Sequence, residues 1–527
     1  MKRALPAIML IALLIRLSGI GNALFFDEAI LADSVAEPGW VNVQYHQRPP
    51  ATIFLLNLAA RLFGMDVWAY RGVMIVFGLL SVVVIFLLGN ELYSKKIGYI
   101  AAGLMAVSFY PILASLEIND DSILIFLYLW TAYFFMRQER YRNLRDAVLA
   151  GIGMGSILLT NYVGGLLFAI LFIYQWIRTK SIIQTVRRQL ILGVIAMLVY
   201  LPFPLYFLWK NPDTFWMTIR YIFVGAARMG IPFSGKLFAL LLWATPFLLG
   251  LAALALLRRE KKDAFPAVWL IMGIVLHLAI FQAGDFSRYF MFIIPPLVLL
   301  SARELSRVQL SRRESIALAA SGAVFFLFFS FLTRAASVQY PHLMQYYITA
   351  VKQLDWNFIL PYAISHGSWF GVSFIAVILM LLVSAVSWIG AAIRWRYALL
   401  AFLAVGIGYN LFLDGEYVLQ LNQPDYHAVI REMISFAKDN DLPEPYWATD
   451  KGIISMAYDY GQYPSDRQGK LHRYRIYEGN VDQVRNGTVL FVNFNQKVQM
   501  EQIPCLPVKR FYSHGKEAGA VLRCPSP

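Results

Sequence analysis

Asp27 and Glu28 adjoin in "LFFDEAILADS" (24–34), directly after an apolar run that starts near the N-terminus. Where a chain leaves a membrane, partial desolvation and nearby cations can tune a carboxylate for general-base work. Solvated loop acids are the competing reading. A second acidic group, Glu117, Asp120 and Asp121, crowds into "SLEINDDSILIF" (115–126). One such acid suffices to cap the helix that follows, and three ask for a further role. A divalent cation, Mg or Mn, is a candidate ligand of Asp27, Glu28 and Asp121, since hard cations favour carboxylates.

The candidate cations are arginines. In "HQRPPATIF" (46–54) the double proline Pro49-Pro50 ends the preceding structure and sets the start of a helix, which presents Arg48 at headgroup depth. Its planar guanidinium can make two charge-assisted bonds to a phosphate, although snorkelling to lipid phosphate serves the same residue type. His46 is a surface histidine in support of that segment. In "GDFSRYFMFIIPP" (284–296), Arg288 and Tyr289 open an apolar stretch, as an interfacial anchor or as an anion contact. Arg16 and Arg71 lie within or at the ends of early apolar stretches, where an arginine faces protein and pairs. Asp27 or Glu28 is within reach of such a pair.

The elements that must position these residues are membrane spans. Of 527 residues, 59% are hydrophobic and 15% charged, which indicates an integral membrane protein. Apolar segments fall near 4–24, 68–90, 97–116, 121–137, 147–160, 162–178, 189–208, 237–257, 264–282, 288–302, 315–333, 369–390 and 397–413. The expectation is an α-helical polytopic protein of about 13 transmembrane helices, the first a retained span rather than a cleaved signal peptide. The pair 147–160 and 162–178 is long enough for one over-length helix, but arginines flank both sides. The chain should therefore go out and return, with "TNY" (160–162) at the turn.

Basic clusters at Lys2/Arg3, Lys95/Lys96, Arg258/Arg259, Arg303/Arg307 and Arg394/Arg396 fall on alternate connections. The positive-inside rule then puts the N-terminus in the cytoplasm and the C-terminus outside. It also accounts for the net charge of +14 without nucleic acid. Residues 25–67 form a long outer loop with an amphipathic stretch at 51–64, suited to lie at the interface, and 209–236 and 334–368 are long and aromatic-rich. A membrane domain over 1–413 is followed by a small α/β domain over 414–527, with a helix near 425–438 and strands at 488–494 and 519–524. Cys505 and Cys524, the two cysteines of the chain, would form a disulfide in an oxidising outer compartment, worth about 3 kcal/mol.

The collinear order of "DE" (27–28), "RPP" (48–50), "ARLFGMDVWAYRGVMIVFGLL" (60–80) and "NELYSKKIGYIAAGLMAVSFYP" (90–111) resembles a known family. "DDSILIFLYLWTAYF" (120–134), "LLTNYVGGLLF" (158–168) and "RYFMFIIPPL" (288–297) continue the likeness. It is to the GT-C membrane glycosyltransferases that use polyprenyl-phosphate sugars, above all protein O-mannosyltransferases and the aminoarabinose transferase of lipid A. The resemblance spans about residues 8–300. It implies an outward-facing cavity with Asp27 as catalytic carboxylate, Asp121 in support and Arg48 at the donor phosphate. Two departures, Gln47-Arg48 where the lipid A enzyme has an acid and a lysine, and Asn161 where lysine is common, argue against the aminoarabinose reaction itself.

The implied reaction is transfer of a sugar to a hydroxyl of a lipid, glycan or protein, from a donor set among membrane lipids. The implied place, on fold-level analogy, is a bacterial inner membrane with the C-terminal domain periplasmic. A transporter or lipid-linked-sugar flippase is the alternative, but such proteins gather ionisable groups near mid-bilayer, whereas here they collect at one face. A non-catalytic envelope assembly protein is the third reading.

Overall fold

The protein is described by a computed structural model, covering residues 4–22, 28, 31, 35, 50–64, 66–213, 215–216, 219–220, 233–280, 290–336, 344–364, 368–443, 446–449, 474–476, 487–492, 500, 503, 505–513 and 515–524. Helix α1 (Ala4–Ser18) is followed by α2 (Ala51–Phe63), the expected amphipathic stretch, and by α3 (Val67–Leu92). Asp66 caps α3 by accepting from the Trp68 amide at 3.1 Å. Next come α4 (Lys95–Val107), α5 (Phe109–Leu116), α6 (Asp121–Tyr141), α7 (Leu144–Thr160), α8 (Leu166–Thr179), α9 (Ile182–Tyr200) and α10 (Pro202–Lys210). The chain continues through α11 (Phe233–Trp243), α12 (Thr245–Leu257), α13 (Ala264–Val275), α14 (Ile294–Leu305), α15 (Arg312–Ala335) and α16 (Met344–Lys352). A hairpin of β1 (Ile359–Ile364) and β2 (Ser368–Ser373) precedes α17 (Phe374–Ala392) and α18 (Arg396–Val418).

Thirteen spans were expected, and the described residues give fewer. Six helices are long and apolar enough to cross a membrane, or up to eight if each of two bent pairs is one span. Several expected spans, such as α1 and α7, are helical but short, with 15 and 17 residues. In α6, Asp121 and the charges from Arg137 onward lower the mean apolar character. The doubtful pair is two helices, α7 and α8, separated at Asn161, which is extended (φ −159°, ψ 129°).

Both bends have identifiable causes. Between α4 and α5 the axis turns by 55°. Pro111 has no amide to offer the Val107 carbonyl, and Asn410 of α18 takes its place. The Asn410 side chain donates to that carbonyl at 2.6 Å and accepts from the Phe109 amide at 3.1 Å. Between α11 and α12 the turn is 92°. Here Thr245, which precedes Pro246, is held at φ 57°.

Helices α3 and α4 pass at close range where Gly89 faces Gly98. A Cβ on Gly98 would sit 2.6 Å from the Phe86 carbonyl oxygen, a backbone atom that cannot swing away. Gly98→Ala is expected to destabilise the protein by about 1–3 kcal/mol, read as a lowered melting temperature in detergent.

The last span runs to Val418, beyond the expected end at residue 413. Its late acids, Asp414 and Glu416, signal exposure in the sequence but are buried. Asn410 donates to Asp414 at 3.0 Å, and Gln423 donates to Glu416 at 2.7 Å. Gln423 also exchanges two hydrogen bonds with Gly371 of β2, at 3.0 and 2.8 Å, and so pins the hairpin to the connection after α18.

Beyond it, α19 (Tyr426–Asp439) packs on a five-stranded sheet of order β4-β3-β5-β7-β6. Its strands are β3 (Tyr446–Ala448), β4 (Tyr474–Ile476), β5 (Thr488–Val492), β6 (Leu506–Ser513) and β7 (Lys516–Arg523). The first three of these run parallel, and β7 is antiparallel to β5 and β6. Cys505 and Cys524 are joined by a disulfide, with Cα atoms 4.3 Å apart, beside the Leu506–Arg523 pairing of β6 and β7. One buried cluster joins this sheet to the membrane helices: Ile53 and Leu56 of α2, Tyr70 and Met74 of α3 and Ile123 of α6 share it with Val429, Met433, Leu490 and Val521.

Candidate active site

The acids converge where α3 and α6 begin and α5 ends. Arg71, in the second turn of α3, is 2% exposed. Its Nη2 lies 3.1 Å from Oε1 and 3.3 Å from Oε2 of Glu28, while Nη1 donates to the carbonyls of Ile20, at 3.0 Å, and Asn22. Glu28 Oε1 also accepts from the Ile118 amide at 3.0 Å. One ion pair thus joins the end of α1, the segment bearing Glu28, and the turn before α6. Burial of both partners makes the geometry strict, because neither charge has water to fall back on.

The turn "SLEINDDS" (115–122) is buried throughout. That explains its three acids better than capping does. Asp120, at the N-cap position, makes no side-chain cap bond. Instead its Oδ1 accepts from Thr52 Oγ1 at 2.7 Å and its Oδ2 from Asn161 Nδ2 at 3.3 Å. Asp120 therefore ties α2, lying between the "RPP" segment and α3, to the turn between α7 and α8. Asp121 accepts from the Tyr110 hydroxyl at 2.9 Å, and Ser122 donates to the Met74 carbonyl at 2.7 Å. Glu117, the residue that ends α5, is 3% exposed. Thr52→Val removes a donor to a buried carboxylate at constant shape. Thermal unfolding should show a loss of about 1.5–3 kcal/mol, and Thr52→Ser should restore most of it.

Behind Asp121 stands an aromatic wall. Tyr110 contacts Trp243 (6.4 Å between ring centroids) and Phe290 (6.0 Å), and Phe290 in turn meets His277 (4.8 Å). His277 is 4% exposed, and neither ring nitrogen has a hydrogen-bond partner among the described residues. It lies in a π-helical turn, Leu276–Ile280, a local distortion that recurs at functional positions. Lys236 of α11, 7% exposed, donates to the Leu278 carbonyl in that turn at 3.2 Å. Sequence reasoning missed both residues. The available signal was a single ionisable residue inside each of two apolar runs, "SGKLFALLLW" and "IVLHLAIF", where such groups mark function by default.

Of the residues singled out in the sequence, the structure brings Glu28, Arg71, Asp120 and Asp121 together. Arg16 is buried elsewhere and donates to the carbonyls of Ala12, Ala106 and Pro111 at 3.1, 3.0 and 3.4 Å. Asp27, His46, Arg48, Arg288 and Tyr289 lie outside the described residues. Among the described residues no group of three or more His, Cys, Asp or Glu side chains is placed to hold a metal ion. A cation at Glu28 and Asp121 would compete with Arg71 for the first and with the Tyr110 hydroxyl for the second.

Residues 47–207 match the family of dolichyl-phosphate-mannose-protein mannosyltransferases. The chain shares its fold with ArnT from Cupriavidus metallidurans. For the form bound to undecaprenyl phosphate the identity is 16% and the TM-score 0.61, over 98% of this chain and 97% of that one. For the apo form the values are 15% and 0.63, with the same coverage. The archaeal oligosaccharyltransferase AglB from Archaeoglobus fulgidus, in complex with an inhibitory peptide and a dolichol-phosphate, gives 14% identity and a TM-score of 0.44 over 87% of this chain and 64% of that one, too weak a likeness to argue from. No curated protein matches the sequence.

The chain is a multi-span membrane protein, and residues 47–207 carry its likeness to the membrane mannosyltransferases. That region lies inside a fold like that of ArnT from end to end.

Proposed function

We propose that the protein transfers one sugar from polyprenyl phosphate to a hydroxyl of a lipid, glycan or protein, at the outer face of the membrane, with inversion at the anomeric carbon. Asp27 takes the proton of the acceptor hydroxyl as its oxygen attacks that carbon. The bond from carbon to phosphate oxygen breaks, and polyprenyl phosphate leaves with an added negative charge. Arg48 and Arg288 meet that charge, and one well-aimed donor of this kind is typically worth about 3 kcal/mol. Glu28 is a positioning residue in this scheme, since Arg71 and the Ile118 amide already occupy it. Asp121 and Tyr110 orient groups on the opposite side. The C-terminal unit that follows α18 lies outside the membrane in this reading and the N-terminus inside.

The supporting observation is the gathering of Glu28, Arg71, Asp120 and Asp121 at one end of the spans, at the starts of α3 and α6, rather than at their midpoints. A transporter needs its polar groups where the substrate crosses. The test uses purified protein in vesicles with radiolabelled polyprenyl-phosphate sugar and extracted envelope acceptors. Sugar transfer should release polyprenyl phosphate one for one. Movement of intact lipid-linked sugar across the vesicle without cleavage would instead establish a flippase. Mass analysis of envelope glycans from a deletion strain then names the acceptor.

A further inference from the structure

At the other end of α3, a network runs away from the acidic site. Tyr93 donates to Asp263 at 3.0 Å, Asp263 pairs with Arg303 at 3.0 Å, and Arg303 lies 3.3 Å from Glu304. Glu304 forms one wall of a cavity of about 380 Å³, enclosed by the ends of α14 and α17 and the start of α18. Arg307, Arg394 and Arg396 line it, together with Trp395, Leu399 and Leu400. Because α17 and α18 are membrane-spanning by length and composition, their junction marks the level of the lipid headgroups.

Most of these arginines are already bound by the protein. Arg396 holds Glu314 at 2.7 and 2.9 Å and the Gln309 carbonyl at 2.9 Å. Arg307 pairs with Glu260, and Arg258, also on the wall, pairs with Glu304. Arg394 differs: its side chain is exposed, with no partner among the described residues. It also sits at φ 67°, just past the end of α17, where glycine is the favoured residue. A charged side chain thus stands at the mouth of a cavity with cationic and apolar walls, in a left-handed conformation that Arg142 and Lys180 also adopt at helix ends. Trp395 and Tyr397, 60% and 73% exposed, flank it as interfacial aromatics do.

We propose that this cavity binds the headgroup phosphate of an anionic membrane lipid, with Arg394 as the recognising cation and Leu399 and Leu400 against the start of the acyl chains. Basic pockets between spans recognise lipid phosphates in this way. Free phosphate shares the charge but has no use for the apolar wall. The site is separate from the acidic end and does not depend on the reaction assigned there.

The test is native mass spectrometry of the full-length protein in neutral detergent, titrated with phosphatidylglycerol, with phosphatidylcholine and with inorganic phosphate. The protein should retain phosphatidylglycerol in preference to phosphatidylcholine, and inorganic phosphate should not displace it. Arg394→Gly relieves the backbone and should melt no lower than the parent chain, yet bind phosphatidylglycerol about fivefold more weakly. Arg394→Gln should show the same loss, and Arg394→Lys should keep most of the affinity. Unchanged phosphatidylglycerol binding by the Gly and Gln variants overturns the proposal, as does displacement of the lipid by inorganic phosphate at equal concentration.

Discussion

Replacing Asp27 by asparagine should remove sugar transfer while leaving a folded protein. Asparagine keeps the size and hydrogen-bonding reach of the carboxylate but cannot accept the acceptor's proton. A positioned general base contributes on the order of 10²–10⁴ in rate, so turnover should fall by at least that lower bound. The measurement is initial velocity with a radiolabelled polyprenyl-phosphate sugar, alongside the melting temperature of the same sample. Glu28→Gln is the informative neighbour. Glu28 is held by Arg71 and the Ile118 amide, so its loss should appear in stability as well as in rate, whereas loss of Asp27 should appear in rate alone. Transfer by Asp27→Asn at the parent rate would move the base elsewhere and remove the mechanism proposed above.

The largest effect on stability should come from Arg71→Met. It strands Glu28, which is 5% exposed, without its counter-charge, and it frees the carbonyls of Ile20 and Asn22. Breaking one side of a buried ion pair typically costs about 3–5 kcal/mol. Removing both charges together, in Arg71→Met with Glu28→Gln, should recover part of that loss, because the penalty comes from the unpaired charge more than from the missing attraction. Thermal unfolding of the two singles and the double closes the cycle. If the double is no more stable than Arg71→Met, the carbonyl bonds of Arg71 carry the structure and the pair with Glu28 is secondary.

Much of this was legible in the sequence because apolar length is a direct reading of the bilayer. The separation of α7 from α8 came from charge alone. The bends were not legible. Ser108 and Ala244 lie in unbroken apolar runs, and the 55° turn depends on Asn410, far along the chain, entering the break beside Pro111. The acids misled in two directions for one reason. The expected end of the last span at residue 413 leaves Asp414 and Glu416 outside it, and the capping alternative gives Asp120 or Asp121 to the start of a helix, since both readings assume a carboxylate faces water. In the fold Asp414, Glu416 and Asp120 are each buried with a partner supplied from a distance: Asn410, Gln423, Thr52 or Asn161. The meeting of Glu28 with Arg71 was within reach of sequence reasoning, because a buried arginine demands an acid. Lys236 and His277 pose the same demand and were passed over. The hairpin of β1 and β2 was hidden in a stretch read only as aromatic-rich.

The buried cluster shared by α2, α3, α6 and the C-terminal sheet bears on how the chain comes apart. Tyr70 and Met74 belong to a membrane helix, yet they share one buried apolar cluster with Val429 and Met433 of α19. The sheet is therefore not a detachable module riding on a finished transmembrane body. Stripping it away would leave wet apolar surface next to the Glu28–Arg71 pair, so the outer end of the helices and the sheet should melt as a single cooperative unit. Heat, denaturant or a protease acting on the C-terminal unit should thus be felt first at the acidic turn, long before the interior of the bilayer yields.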